Sequence, residues 1–405
     1  MLLAIAATMT VILIWSSLSK SMARWKVTAP LAMVVVGMLV GWSSDHWLAA
    51  AINTDAALKI VEFLLALFLF SDATEVRNGL SERRTGVVRL LFLAFPLSLA
   101  AALLLGNVLL PGNSWPLILL IACIVVPIDL VPTQTSVRDS RVPQRVRHAL
   151  NVESGFNDGL VAPIFLFALA AAELSPGSDQ AMHALGQAVP AVLKAVLVGV
   201  PLGAAAGYCM SVAVGQGWTD SRAVRIGTLA VPVLTFSLAV WLNGNGFVAA
   251  FLAGVAYRET RRDIPGEPLE LTEDVTEFLS LAMWFAVGNV AAASLTWLTW
   301  QVVLYGVLAL TLIRSVPVAI SMLGSNFTRR ERTMLGLFGP RGVASIVFAL
   351  IAFNKLQQDE AAYLVIGTTL VVVVGSVVLH GIGAPLLVEW YDRRKTRDDN
   401  PEPTI

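Results

Sequence analysis

The stretch Glu153 to Asp158 (ESGFND) holds two carboxylates, a hydroxyl and a carboxamide inside an otherwise apolar run, LNVESGFNDGLVAPIFLFALAAA. On a helix turning about 100° per residue, Ser154 and Asp158 lie roughly 40° apart, while Glu153 points about 140° away from Asp158. The two acids cannot share one role. Ser154, Asn157 and Asp158 together offer the oxygen ligands that a hard cation takes. A buried carboxylate disfavours its bare charge and holds either a proton or a cation. Elsewhere, Asp129 stands between Pro127 and Pro132 (VVPIDLVPTQT), and Arg341 stands among Gly336, Gly339, Pro340 and Gly342 (LGLFGPRGVAS). A charge at the centre of a bilayer costs on the order of 2.5 to 3.5 kcal/mol on insertion scales, so each of these residues needs a partner or a task. Glu153 and Arg341 are expected to form a buried structural ion pair, which leaves Asp158 unpaired.

The setting of these residues is a chain that soluble proteins do not resemble. Of its 405 residues 56% are hydrophobic and 14% charged, with a mean hydropathy of +0.73, against about 25% charged residues in soluble domains. Apolar spans are expected near residues 2–18, 28–42, 57–73, 87–110, 116–138, 148–172, 185–216, 223–242, 244–258, 274–293, 299–323, 331–353 and 361–390, bounded by Pro, Gly, Asn or charge. The expected fold is therefore an all-α polytopic membrane protein with about 13 transmembrane helices. The 244–258 span is short and needs tilt or flanking residues to cross. The first span lacks preceding basic residues and a clear cleavage site, so it reads as a retained helix.

Basic residues fix an expected orientation. Of the 28 Lys and Arg, 23 lie in or beside the connections after odd-numbered spans and in the carboxy-terminal tail. Because short cytoplasmic loops retain positive charge, the amino terminus is expected outside and the carboxy terminus in the cytoplasm. Of the eleven tryptophans, Trp42, Trp47, Trp115, Trp297, Trp300 and Trp390 fall near span ends, as an aromatic belt does. Cys123 and Cys209 sit in apolar stretches and read as packing residues. The basic residues lie in short loops, which argues against a nucleic-acid surface, and no metal cluster, phosphate loop or nucleophile motif marks an enzyme or a cofactor site.

Spans 1–6 and 8–13 begin on opposite sides, so two six-helix halves would be related by inversion, with spans 5 and 12 as their fifth members. Both fifth members are broken, at Asp129 and at Arg341. Broken helices at matching places in inverted halves, crossing at the midplane, point to an ion or substrate site, since freed carbonyls and half-helix ends need a charged or aqueous partner. Asp129 is either a second ligand there or the charge that neutralises half-helix amino termini. Asp72 and Glu75 close span 3 as either interfacial charges or site residues, and Glu62 falls near the outer interface. Arg314 either snorkels or meets a carbonyl at a helix end. His148 and His380 read as packing or interfacial residues.

Three stretches in order, Arg141–Pro163 (RVPQRVRHALNVESGFNDGLVAP), Gly246–Ala256 (GFVAAFLAGVA) and Gly339–Ala349 (GPRGVASIVFA), resemble the sodium/proton exchanger family of monovalent cation:proton antiporters. The likeness covers essentially residues 1–390. It implies that Asp158 binds a monovalent cation in competition with protons, with Asn157 and Ser154 beside it, and that Glu153 is the usual partner of Arg341. Asp129 takes the place of the family's Thr-Asp aspartate, but Ile128 stands where the threonine would, which removes a hydroxyl and leaves a backbone carbonyl to serve. Asp72 falls near an acidic position of the family. The resemblance further implies a homodimer and an elevator-like cycle.

The expected activity is antiport of Na+ or K+ against H+ across the cell (inner) membrane; the resemblance implies electroneutral exchange, by analogy with family members whose ND pair carries one free acid. Residues 1–390 would form the transmembrane unit and 391–405 a short cytoplasmic tail, without a large regulatory domain. A sodium-coupled organic anion symporter shares the inverted architecture and is the alternative. A non-transporting sensor or scaffold is a third reading.

Overall fold

The computed structural model describes residues 2–25, 27–43, 55–75, 84–137, 139–174, 179–261, 268–294, 298–356 and 360–399. Trp47, Trp297, residues 400–405 of the expected tail and the side chain of Glu75 lie outside the described residues. Helical segments overlap every expected span: α1 (Leu2–Arg24), α2 (Ala29–Ser43), α3 (Asp55–Glu75), α4 (Arg84–Arg89) continuing through a π turn (Leu90–Ala94) into α5 (Phe95–Leu109), α6 (Trp115–Val125), α7 (Gln134–Val137), α8 (Gln144–Glu173), α9 (Asp179–Gly215), α10 (Ser221–Trp241), α11 (Gly246–Thr260), α12 (Glu270–Ser294), α13 (Trp300–Leu310), α14 (Leu312–Ser321), α15 (Arg329–Leu337), α16 (Val343–Lys355) and α17 (Glu360–Asp399). Eight helical stretches are individually long and apolar enough to cross a membrane. The last helix runs through position 390 to Asp399, so the expected border between span and tail falls inside one helix.

Small residues set how closely these helices approach. Gly199 and Gly203 of α9 face the backbone of Ala249 and Ala253 on α11, and Gly207 faces Tyr257 and Thr260, at contacts where any Cβ would collide. A second pair, α2 with α12, uses Gly37, Gly41 and Gly288 in the same way. Without a hydrophobic force between helices in lipid, such small-residue faces give the dispersion contact that holds them. This explains the short α11. Asn245 caps it by accepting the Phe247 and Val248 N–H groups at 3.0 and 3.1 Å, and Phe247 through Phe251, Ala253, Gly254 and Tyr257 are buried. A helix enclosed by protein needs no full lipid-facing length.

The two expected breaks occur and meet. The chain leaves helix after Val125 and again between Leu337 and Val343, and the Asp129 N–H donates to the Pro340 carbonyl at 2.9 Å. A third break was not expected. Span 11 divides at Thr311, whose hydroxyl bonds back to Val307 O at 2.7 Å and whose backbone departs from the helix at φ −118°, ψ −89°. A hydroxyl that competes for its own helix carbonyl bends helices, and the sequence marks this break with neither Pro nor Gly. Around the crossing lies a core of Ile128, Leu130, Val146, Leu150, Val318, Met334, Leu335 and Phe338, all buried.

Candidate functional site

Helix α8 passes the break after α6 and anchors it. Asn157 Nδ2 donates to the Ile128 carbonyl at 2.9 Å, and Ser154 Oγ donates to the same oxygen at 3.4 Å. The side chain at position 128 is thus immaterial to these bonds, since the carbonyl takes both. Asn157 is 1% exposed and Asp158 4%. The Asn157 Oδ1 and Asp158 Oδ1 atoms, both acceptors, have no hydrogen-bond partner among the described residues. Buried acceptors left this way are the exception in proteins. Charges of both signs, on Asp129 and Arg341, act on Asp158.

Asp129 is occupied differently. Its Oδ1 accepts the Val131 N–H at 2.9 Å and its Oδ2 accepts the Val343 N–H at 3.1 Å. One carboxylate therefore caps both the turn that leads to α7 and the amino terminus of α16, where backbone dipoles present positive charge. Of the two roles left open by the sequence, the geometry favours neutralisation. Gly342 makes room for it, because a Cβ there would overlap the Asp129 carboxylate. Gly342→Ala is expected to displace this cap and destabilise the protein by roughly 1–2 kcal/mol. Asp129→Ala should do the same and the two changes together no more than either, measured by thermal unfolding in detergent. Strict additivity would show that the methyl acts elsewhere.

The expected pairing of Glu153 with Arg341 needs correction. Glu153, 2% exposed, receives both terminal nitrogens of Arg314: Nη1 to Oε1 at 2.6 Å and Nη2 to Oε2 at 3.0 Å. Arg314 Nη2 also donates to Leu335 O at 3.0 Å, a carbonyl at the end of α15. Arg341, fully buried, donates instead to three carbonyls: Nε to Val125 O, Nη1 to Gly339 O, and Nη2 to Ala309 O at 3.2 Å. These are the carbonyls freed by three helix breaks, and they satisfy a guanidinium where it stands. Its backbone N–H donates to Ser376 Oγ on α17 at 2.7 Å, and His380, one turn on, contacts the same serine. Gly339 leaves space for the Arg314 side chain to pass. The missed signal was Arg314 itself, a second cation inside a span, made necessary once the breaks claimed the first.

A cavity of about 650 Å3 reaches this region, and Asp158, Asp129 and Asp72 all line it. Glu153 and Arg341 do not. At its mouth Arg141 donates to Asp139, Nη2 to Oδ2 at 2.7 Å and Nε to Oδ1 at 3.0 Å, which holds Asp139 below the ordinary carboxylate range. On α12, Glu273, Thr276, Glu277, Ser280 and Trp284 form the facing wall; none had been singled out from the sequence, where they read as a helix start. Their signal is the spacing 273, 277, 280, 284, which puts polar groups on one helix face. No group of three or more His, Cys, Asp or Glu able to hold a metal ion occurs among the described residues. Glu62 pairs with Lys59 at 2.6 Å, away from the site.

Comparison with known proteins agrees with this architecture. The chain is similar to a Na(+)/H(+) antiporter of Schizosaccharomyces pombe, 23% identical over 297 residues that make up 64% of this chain and 62% of that protein. It is also similar to the Na(+)/H(+) antiporter 2 of Zygosaccharomyces rouxii, 24% identical over 350 residues, 80% of this chain and 42% of that one. The chain thus spans less than two thirds of the length of these relatives. In structure it matches the sodium proton antiporter MjNhaP1 from Methanocaldococcus jannaschii at a TM-score of 0.74 and 19% identity, covering 96% of this chain and 98% of that one; this likeness establishes the fold. The model of the transmembrane sodium/hydrogen exchanger family matches residues 7–390. With a match over nearly its whole length, a shared fold and two broken helices meeting beside a buried carboxylate, the chain belongs to the sodium/hydrogen exchanger family.

Proposed function

We propose that this protein exchanges Na+ or K+ for H+ by alternating access, with Asp158 as the one carboxylate that the cation and the proton occupy in turn. The observation that carries this reading is the pair of buried acceptors with no partner among the described residues, Asp158 Oδ1 and Asn157 Oδ1, the first of them on a residue that lines the cavity. A cation satisfies such oxygens, and a proton neutralises the carboxylate when the cation leaves. Ser154 belongs to the same site, Asp129 tunes it through the half-helix ends, and Asp72 lines the approach. One free acid makes the exchange electroneutral. Residues 1–390 form the transport unit, in a cell membrane with the amino terminus outside, residues 391–405 in the cytoplasm and a second copy as dimer partner. The cavity is lined in part by Ser19, Asp139, Arg141, Glu273 and Glu389, near helix ends that the basic loops assign to the cytoplasm, which supports an inward-open state. A sodium-coupled symporter of an organic anion is disfavoured by the carboxylates along the cavity.

The test is reconstitution in liposomes with a pH-reporting dye inside, adding Na+, K+ or Li+ outside. If one site is shared, the apparent cation KM rises as pH falls while the maximum rate stays nearly constant, because protons remove the ionised carboxylate by mass action. With Ile128 offering no side-chain hydroxyl as an oxygen ligand, discrimination between Na+ and K+ is expected to be weak. A KM independent of pH, with proton flux intact, would place binding and protonation on separate groups.

A further inference from the structure

The last four carbonyls of a helix have no partner within it, and a buried helix end must find one for each. At the end of α15 they can be followed one by one. Met334 O accepts the Phe338 N–H at 2.8 Å, Leu335 O accepts Arg314 Nη2 at 3.0 Å, and Gly336 O accepts the Ser315 hydroxyl at 3.3 Å. That leaves Leu337 O. In a continuous helix it would accept the N–H four residues on, which belongs to Arg341. The break sends that N–H to Ser376 Oγ instead, at 2.7 Å, and the ring of His380 meets the Leu337 carbonyl. Two residues one turn apart on α17 thus take up the two halves of one missing helix bond.

Hydrogen-bond accounting also fixes where the ring carries its hydrogen. Ser376 is fully buried and His380 is 5% exposed. The His380 Nδ1 lies 3.3 Å from Ser376 Oγ and 3.2 Å from Ser376 O. That carbonyl already accepts the His380 backbone N–H as part of α17, whereas Leu337 O has lost its helix donor. Ser376 Oγ accepts from Arg341 and still has its own hydrogen to give. Every group is paired when the imidazole is neutral, with its hydrogen on Nε2 for Leu337 O and its Nδ1 accepting the Ser376 hydroxyl. An imidazolium would lose that acceptor and set a third cation beside Arg341 and Arg314, while Glu153 already spends both oxygens on Arg314.

We propose that Ser376 and His380 are positioning residues that stand in for the missing Leu337–Arg341 helix bond, His380 as a neutral Nε2–H imidazole, and so hold the second broken helix open beside Asp158. Three things depend on how that break is held. It aims the Arg341 guanidinium at its carbonyls, offers the Pro340 carbonyl to the Asp129 N–H, and offers the Val343 N–H to the Asp129 carboxylate. The charges of Arg341 and Asp129 both act on Asp158, so a shift of the break changes how proton and cation share that carboxylate. This effect on transport rests on the exchange reading above; the tautomer of the ring does not.

The first test reads the ring directly, by nitrogen-15 NMR of the purified full chain labelled at histidine. Of the four histidines, the one whose signal disappears in His380→Gln should show the neutral Nε2–H pattern at about pH 8. An Nδ1–H pattern or an imidazolium there overturns the assignment. The second test is exchange in liposomes. Glutamine offers the same acceptor and donor as the neutral ring, and leucine offers neither. His380→Leu should therefore change the apparent Na+ KM at a fixed pH by roughly three- to tenfold, and His380→Gln by no more than about twofold. Ser376→Ala should match His380→Leu, Ser376→Thr should match the wild type, and the Ser376→Ala/His380→Leu double variant should be no worse than either single change. Equal behaviour of the leucine and glutamine variants, or a lowered melting temperature in His380→Leu with KM unchanged, overturns the positioning role. The NMR arm uses the wild type and decides the tautomer even where His380→Leu does not fold. A wild-type protein with the Nε2–H ring but without exchange would defeat the exchange reading and leave the bridging of the break in place.

Discussion

Asp158→Asn is expected to reduce cation-driven proton flux to the level of protein-free vesicles while leaving the protein folded. Asparagine has nearly the shape of aspartate, and position 158 accepts no hydrogen bond at Oδ1 among the described residues, so no bond at that atom is lost. What disappears is the ability to hold a proton and to balance a cation's charge. A buried carboxylate without a partner is a liability for the fold, and neutralising it should leave the melting temperature in detergent equal to or above that of the wild type. Loss of flux together with loss of folding would say little about ion binding; loss of flux with an unchanged or higher melting temperature identifies the group. Near-normal flux from the folded variant would remove Asp158 from the mechanism. Asn157→Ala should do less to flux and more to stability, because it removes the 2.9 Å bond that holds the Ile128 carbonyl.

Much of this arrangement follows from local rules. That Glu153 and Asp158 serve different ends follows from helical phase alone, and in the structure one meets Arg314 while the other lines the cavity. Pro127, Pro132, Gly339 and Pro340 mark the breaks because they remove donors or fail to hold a helix. The break at Thr311 was not legible, since it depends on a threonine rotamer that no spacing rule records. The partner of Glu153 was illegible for another reason. From the sequence Arg341 was the expected partner and Arg314 read as snorkelling or meeting a carbonyl; the choice is made by which guanidinium is already surrounded by freed carbonyls, a property of three helix ends at once. Asp129 shows the same limit: its position was legible, but its choice between ligand and cap depends on Val343 lying 214 residues away in sequence. The cavity wall on α12 was hidden because acids near a helix start have an ordinary explanation, which holds for Glu273 and fails only one turn later.

The corrected ion pair has a large and separable effect on stability. Glu153 and Arg314 are both nearly inaccessible, with 3% and 6% of their side chains exposed, and they meet through two parallel bonds, the geometry in which a guanidinium and a carboxylate bind best. Taking a pair out of water costs free energy that their attraction only about offsets, yet removing one partner strands the other. Glu153→Gln or Arg314→Met alone should therefore destabilise by about 3–5 kcal/mol. The double variant should recover much of that, giving a coupling of roughly 2 kcal/mol or more in a double-mutant cycle read from thermal unfolding in detergent. Recovery will be incomplete, because Leu335 O at the end of α15 also loses its donor. The control is Arg341→Met, which leaves the carbonyls of Val125, Gly339 and Ala309 without that donor. Its loss should add to that of Glu153→Gln with little coupling. Strong coupling of Glu153 to Arg341 and none to Arg314 would reverse the assignment and restore the pairing first expected from the sequence.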